Sequence, residues 1–568
     1  MTSPSRATIS ALCALAAMAL PAAAQAQSIP YGSVSGGGSS GPGDGGNSGS
    51  GSGKGSSASR GARTSVTPYI EASQIATAEL SPGDEVLTYS TIAAGVEAVI
   101  AGNNSAASAS LRYERRFGWG KANDEDVISG LARGYMTVAP GVQIDAGALA
   151  ARTSVDGGGS LATIGDNDYV TQVYSVYAGP SVATRAGDVA ITANYRIGYT
   201  RAEEPNGYVP APGEPAVDVF DDSVVQSANV HAGVKPYEVL PVGIGVGAGW
   251  YREDISALDQ RVEDLHVRAD VTVPVTESVA LVGGVGYEKV EISSRDAVRD
   301  ANGDPVVGPN GRYVTDKSIP RLIAYDVDGL LWDAGVVWRP SRRTALEAHV
   351  GRRYGATSYY GTFAWSPGGR SALNVSVYDN IAGFGGQINR ALVDLPTEFS
   401  AVRNPLTGNL GGCVAALEGG TCLNNVLGAV RSATFRARGV MATYGYNFGS
   451  MTAGVGAGYD RRKFVAAQGT VLAAYNGLVD ENYWMSAYLN GRIDQHSSYS
   501  TNVYANWFKS GVSNLRDASV LGATAAYNRN LAENLSATAA LGLDGVNRED
   551  PLEDFWTASA LLGVRYSF

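Results

Sequence analysis

From Val66 to the C-terminus the chain alternates apolar and polar residues with period two, the repeat that sends successive side chains to opposite faces of a sheet. The segment Leu265 to Val273 is the clearest case: Leu265, Val267, Ala269, Val271 and Val273 share one face, and His266, Arg268, Asp270 and Thr272 the other. A second segment sets Tyr483, Met485, Ala487 and Leu489 against Asn482, Ser486, Asn490 and Arg492, with Trp484 and Tyr488 interrupting the polar face. Its neighbour sets Tyr499, Thr501, Val503 and Ala505 against Ser500, Asn502 and Asn506. Alternation alone does not say which face is inside. A soluble sandwich buries the apolar face, whereas a membrane barrel turns it to lipid. Length separates the two, because many of these runs extend about ten residues or more. Soluble strands usually have about five or six, and crossing a bilayer at a tilt takes about 9–11.

The connections alternate between tight and open, as short periplasmic turns do with longer outer loops. Tight turns fall at 102–104, 140–141, 186–188, 276–278, 367–369 and 449–450, most of them with Gly, Asn, Asp or Pro. Open connections fall at 156–166, 202–221, 294–323 and 383–432, and one short outer connection near Ala356 interrupts the rhythm. Counting between them gives about 22 strands, within a range of about 20 to 24, from a first near Val66 to a last near Phe555. The expected fold class is all-β: a transmembrane, antiparallel, up-and-down β-barrel with both termini periplasmic.

The last strand carries Trp556, Ala558, Ala560, Leu562, Val564, Tyr566 and Phe568 on one face. Its ending, with Phe568 terminal and Tyr566 two before it, resembles the assembly signal of bacterial outer-membrane barrels. That resemblance implies the barrel-assembly machinery and periplasmic chaperones as partners. To remove both sheet edges from lipid, this strand must pair with the first, near Val66. The segment Gly351-Arg352-Arg353-Tyr354-Gly355-Ala356-Thr357-Ser358-Tyr359-Tyr360, followed by Trp365-Ser366-Pro367 and Asn374-Val375-Ser376-Val377-Tyr378, resembles the type-2 β-barrel porin family. Some members of that group accompany exopolysaccharide export systems, which implies periplasmic export components as further partners.

The N-terminal region divides differently. Residues 1–26 carry Arg6, an apolar stretch from Ala7 to Ala24 and Ala24-Gln25-Ala26, the pattern of a cleavable signal peptide. Cys13 follows Leu12 within the apolar run and reads as filler. Residues 27–65 form a Gly/Ser-rich tether too poor in apolar surface to offset its ordering entropy, so no plug is expected there. Residues 66–568 form the barrel. Beyond residue 26 no apolar run reaches the roughly 18 residues of a spanning helix. Gly 72 and Tyr 30 are high, charged residues are 17%, and the net charge of -11 argues against nucleic acid, which needs clustered Lys and Arg. Cys413 and Cys422 remain in the mature chain with eight residues between them in a Gly-rich stretch, and an oxidising periplasm favours a disulfide bracing that loop.

Polar-face residues expected to point into the lumen are Glu97, Arg112, Glu114, Arg196, His231, His266, Arg268, Asp270, Glu347, His349, Arg438, Arg492 and Arg565. They form either a charged constriction selecting solutes by field or a wall of mutually satisfied pairs. No local Ser, His and acid pattern marks a catalytic base, and His496 falls in a turn. Asp300-Ala301-Asn302-Gly303-Asp304 starts like a calcium loop but has Pro305 where Gly belongs and Gly311 where the bidentate Glu would be, so it reads as an Asn-Gly turn. Gly243, Gly245, Gly247 and Gly249 read as small inward residues leaving room for bulky neighbours, not as a phosphate loop. The expected function is a non-enzymatic channel or porin-like protein in the outer membrane, surrounded by its lipid. Solutes pass a polar lumen gated by the long loops 294–323 and 383–432, and no metal or cofactor is implied. An exopolysaccharide or envelope export component and a surface adhesion platform are the alternatives.

Overall fold

The computed structural model describes residues 63–154, 170–203, 222–397, 399–408, 410–415, 421–422, 433–511, 517–548 and 554–568. The signal peptide, nearly all of the tether, and most of the open connections 156–166 and 202–221 lie outside them. The described residues build a ring of 22 antiparallel strands, each bonded to its neighbours in chain order. The first, Arg63–Ser81, pairs with Val86–Ala101 on one side and with the last, Phe555–Ser567, on the other. Tyr69 lies opposite Ser567, and Phe568 donates its backbone N–H to the Pro68 carbonyl at 3.0 Å. The ring is therefore closed first to last.

Strand starts follow the alternation closely. The last strand begins at Phe555 as expected, and the first begins at Arg63, three residues before Val66. The tight turns use the residues that permit them: Gly141 and Gly187 adopt φ of 76° and 62°, positions where a β-carbon would be strained.

Burial settles which face is inside. In Gln260–Pro274 the apolar face is outside, with Leu265, Val267, Val271 and Val273 each more than two-fifths exposed, while Asp264, His266 and Arg268 are buried. The same inversion recurs around the ring at Ile92, Ile197, Val285, Val350, Val455, Val503 and Leu562. An apolar band of this extent is the lipid-facing surface of an outer-membrane β-barrel and has no place in water. Exposed aromatics border it, with Trp338, Trp365, Tyr444 and Tyr566 toward the short turns and Tyr113, Tyr287, Tyr359 and Tyr483 toward the long loops. No helix among the described residues is long and apolar enough to cross a membrane.

Two of the open connections are built, not loose. Residues 295–321 form a ribbon bridged at Ala297 with Thr315 and Val307 with Tyr313, and it packs with Leu258, Ala466 and Leu472 from other loops of the same rim. The connection between Ser371–Ala382 and Thr434–Asn447 holds a helix, Phe384–Asp394, and a small sheet of Ser400–Arg403, Leu410–Ala415 and Thr421–Cys422. The alternation predicted neither.

One seam of the ring is short. Ala356–Gly368 pairs with Ser371–Ala382 only from Gly368 up to Gly361, opposite Val377, although both strands run further. Above that point Arg436 and Arg438 reach across instead, donating to the carbonyls of Tyr354 at 3.4 Å and Thr357 at 2.7 Å.

Candidate functional site: a charged lumen crossed by an inward segment

Period two aims alternate side chains into the barrel, and ring closure decides which of them meet. Arg268 reaches Asp333, two strands away, by lying over Gly284 of the intervening strand Val279–Ser294. Asp333 also faces His349 Nδ1 at 2.8 Å, the other ring nitrogen of His349 lies 3.2 Å from Glu347, and Tyr360 stacks on the imidazole. Asp270 sits 3.2 Å from Arg268 and 3.0 Å from His231. Gly245 and Gly249 lie beneath His231 and His266, where a β-carbon would come within 2.6 and 2.3 Å of the rings. The alternating glycines thus make space for imidazoles. Toward the outer rim Arg353 donates to Asp264 at 2.7 Å and to His266 at 3.2 Å.

A second network lines the first strands. Arg112 binds Glu71 at 2.9 Å and Glu114 at 2.7 Å, Arg116 binds Glu114 at 2.7 Å and Glu125 at 3.3 Å, and Arg152 pairs with Glu125. Glu97 accepts the Ser110 hydroxyl at 2.9 Å, Arg196 binds Asp145 at 3.2 Å, and the Arg565 guanidinium lies over the Tyr69 ring. Removing one member of such a buried pair strands its partner at a cost of about 3–5 kcal/mol.

Two expected lumen residues are placed elsewhere. Arg438 shares its strand face with the exposed Val440 and Tyr444, so it points away from the lumen axis and stitches the short seam with Asp379. Arg492 is exposed at the short-turn end of its strand, beyond the enclosed wall. Conversely, Arg116, Asp264, Asp333 and Arg353 belong to the networks and were not singled out from the sequence. Their parity with Arg112, His266 and His349 was the available signal for three of them. His496 sits in an exposed turn, its N–H donating to Asp494. Asp300 accepts the N–H groups of Asn302 at 2.8 Å and Asp304 at 3.0 Å, an Asx turn. Among the described residues no cluster of His, Cys, Asp and Glu could hold a metal.

The lumen is not open across its width. After Ala382 the chain turns inside, and the apolar face of Phe384–Asp394 (Phe384, Ile388, Leu392) packs on Leu149, Ala151, Val173 and Ala202, inward residues of the wall. Glu253 anchors the helix start, accepting the N–H groups of Gly383 at 2.7 Å and Gly386 at 2.9 Å and the Tyr251 hydroxyl at 2.7 Å. The close fit requires glycine: a β-carbon on Gly386 would lie 2.0 Å from the Tyr251 hydroxyl. Asn389 donates to Thr200 at 2.8 Å. Beyond the helix, Arg403 binds Ser110 and Ser129, Arg116 donates to the Thr407 carbonyl at 2.6 Å, and Ser129 to the Gly408 carbonyl at 2.7 Å. Leu406 is buried among Ile75, Tyr89, Ala526, Ala540 and Leu561. The segment leaves the fifteenth strand, Ser371–Ala382, and docks on the third, Ser105–Trp119, across the ring, before returning to the sixteenth, Thr434–Asn447.

The strands carrying Cys413 and Cys422 are paired with these two positions directly opposite, while their side chains lie outside the described residues.

No family model matches the chain, and no curated protein matches it. Among solved structures it is similar to the FrpB iron transporter from Neisseria meningitidis (F5-1 variant), at 12% identity over 88% of this chain and 82% of that one, with a TM-score of 0.41. It is similar also to the alcaligin outer membrane receptor FauA from Bordetella pertussis (11% identity, 88% and 76% covered, TM-score 0.36) and to the siderophore receptor PiuA from Acinetobacter baumannii (9% identity, 88% and 82% covered, TM-score 0.39). At these scores the likeness carries no inference about what passes through this barrel, whose assignment as an outer-membrane β-barrel rests on its own closed ring and apolar exterior.

Proposed function

We propose that the protein is a porin-like channel of the outer membrane, in which solutes pass a polar, ion-paired lumen whose access is controlled by the inward segment 383–408. The observation that carries this reading is the docking of Phe384–Asp394 and Leu406 on separate sectors of the inner wall. A barrel wall needs no such filling for closure, since its strands bond around the whole ring without it. The segment is held to the wall by side-chain packing and hydrogen bonds and by no ladder pairing with the ring, so its release would leave the ring's ladder bonds intact. The resemblance of residues 351–378 to the type-2 β-barrel porins supports the same reading.

Single-channel conductance in planar bilayers tests it. The full chain is expected to show small, interrupted currents, and a variant lacking 384–430 larger and steadier ones. If neither opens, the channel reading fails.

A further inference from the structure

The lipid-side face of the ring carries a cluster of positive charge that its own carboxylates do not balance. Arg438 lies directly opposite Arg461, and Arg436 opposite Lys463, in the ladder between Thr434–Asn447 and Met451–Val465. Like charges directly opposite one another destabilise a sheet. With Lys509, which lies opposite Glu481 on its other side, five cations here meet two carboxylates. Asp379 binds Arg436 at 2.6 Å and Arg438 at 3.2 Å. Glu481, opposite Arg461 in the next ladder, accepts the hydroxyls of Tyr459 at 2.9 Å and Tyr483 at 3.4 Å. Arg461 and Lys463 make no ion pair among the described residues, and Lys463 is exposed.

The position of this array says what kind of anion could balance it. Its residues continue the outward rows Val440, Ala442, Tyr444 and Val455, Ala457, Tyr459, whose valines face lipid. Tyr459 and Tyr483, with ring centroids 4.8 Å apart, lie one outward position below Arg461, at the border of the apolar belt on the long-loop side. An anion arriving there is held at headgroup depth, with exposed Val440, Val455 and Met485 beneath it to receive acyl chains. Guanidinium groups bind phosphate through paired N–H donors, and basic clusters at this depth recognise anionic headgroups.

We propose that Arg461 and Lys463, with Arg438 beside them, form a binding site for the phosphate of a glycolipid headgroup in the outer leaflet. The bound phosphate supplies the missing negative charge and relieves the cross-strand repulsion. The site lies outside the lumen, so the inference is independent of what the channel passes.

The test is native mass spectrometry of the full barrel in detergent, titrated separately with diphosphoryl lipid A, its dephosphorylated form and inorganic phosphate. Diphosphoryl lipid A is expected to form a discrete adduct that weakens about tenfold or more in the Arg461→Gln, Lys463→Gln double variant and is retained in Arg461→Lys. Heat-modifiable migration checks that each variant is folded. Should the double variant fail to assemble, Lys463→Gln alone, at an exposed position, is expected to weaken binding several-fold. Equal binding of the dephosphorylated lipid, binding undiminished by the glutamine substitutions, or inorganic phosphate binding as tightly as the lipid would each overturn the proposal.

Discussion

Arg268 donates to both carboxylate oxygens of Asp333, from Nε at 2.7 Å and Nη2 at 3.0 Å, across a strand that contributes only the bare backbone of Gly284. A β-carbon at Gly284 would fall 2.1 Å from Arg268 Nε, so this pair and that glycine are one feature. Gly284→Val is expected to push the guanidinium off Asp333 and to lower the unfolding free energy by about 3–5 kcal/mol. Urea unfolding in lipid vesicles, followed by tryptophan fluorescence, measures it. An unchanged midpoint would mean that the pair contributes nothing to stability.

The docking of the inward segment is separable from the stability of the wall. Leu392 is fully buried on the helix Phe384–Asp394, and Leu392→Ala is expected to weaken docking by about 2–5 kcal/mol. Conductance should rise or flicker more while heat-modifiable migration is unchanged, because no ladder bond is touched. A fall in both would place the segment among the supports of the wall.

Cys413 and Cys422 are ladder partners. Directly opposite residues of antiparallel strands have Cα atoms about 4.5–5.5 Å apart, within the about 4.4–6.8 Å of a disulfide. The expected outcome is no thiol labelling in the exported protein until a reductant is added. Reduction should then expose 409–432 to protease and leave the barrel folded. Two labelled thiols without reductant would refute the bond.

Phe568 closes the ring through its N–H to Pro68, with its ring edge-on to Tyr566 at 5.0 Å. Deleting Phe568 removes that bond and the terminal aromatic together. The assembled, heat-modifiable fraction in cells is expected to drop well below that of the full chain, with Tyr566→Ala intermediate.

At the outer rim, backbone N–H groups of Asp304 and Asn302 hold the Asp300 carboxyl below the usual carboxylate range. A depressed value in the folded loop means its contribution is complete above the unfolded pKa of about 3.9 and is lost as pH falls through the folded value. Amide chemical shifts of Asn302 and Asp304 should therefore stay constant from about pH 7 to pH 5 and move only in stronger acid. Calcium should leave them unchanged.

The sequence by itself determined the ring. Each strand is written as a local repeat of two, and each tight turn by residues such as Gly141 and Gly187. The repeats and turns are properties of a few neighbouring residues, so they are legible one segment at a time. What meets inside the ring is not. Arg268 and Asp333 are 65 positions apart, and Arg116 and Thr407 291. Only closure, register and the inward turn after Ala382 bring them together. The helix Phe384–Asp394 was hidden for the same reason: its apolar stripe acquires meaning only against Leu149, Val173 and Ala202, which belong to other strands. Arg438 shows the limit of parity most directly. The alternation was read as sending it into the lumen, whereas it lies on the outer face with Val440 and Tyr444, and its role follows from a seam in which the ladder stops at Gly361 and side chains take over from backbone.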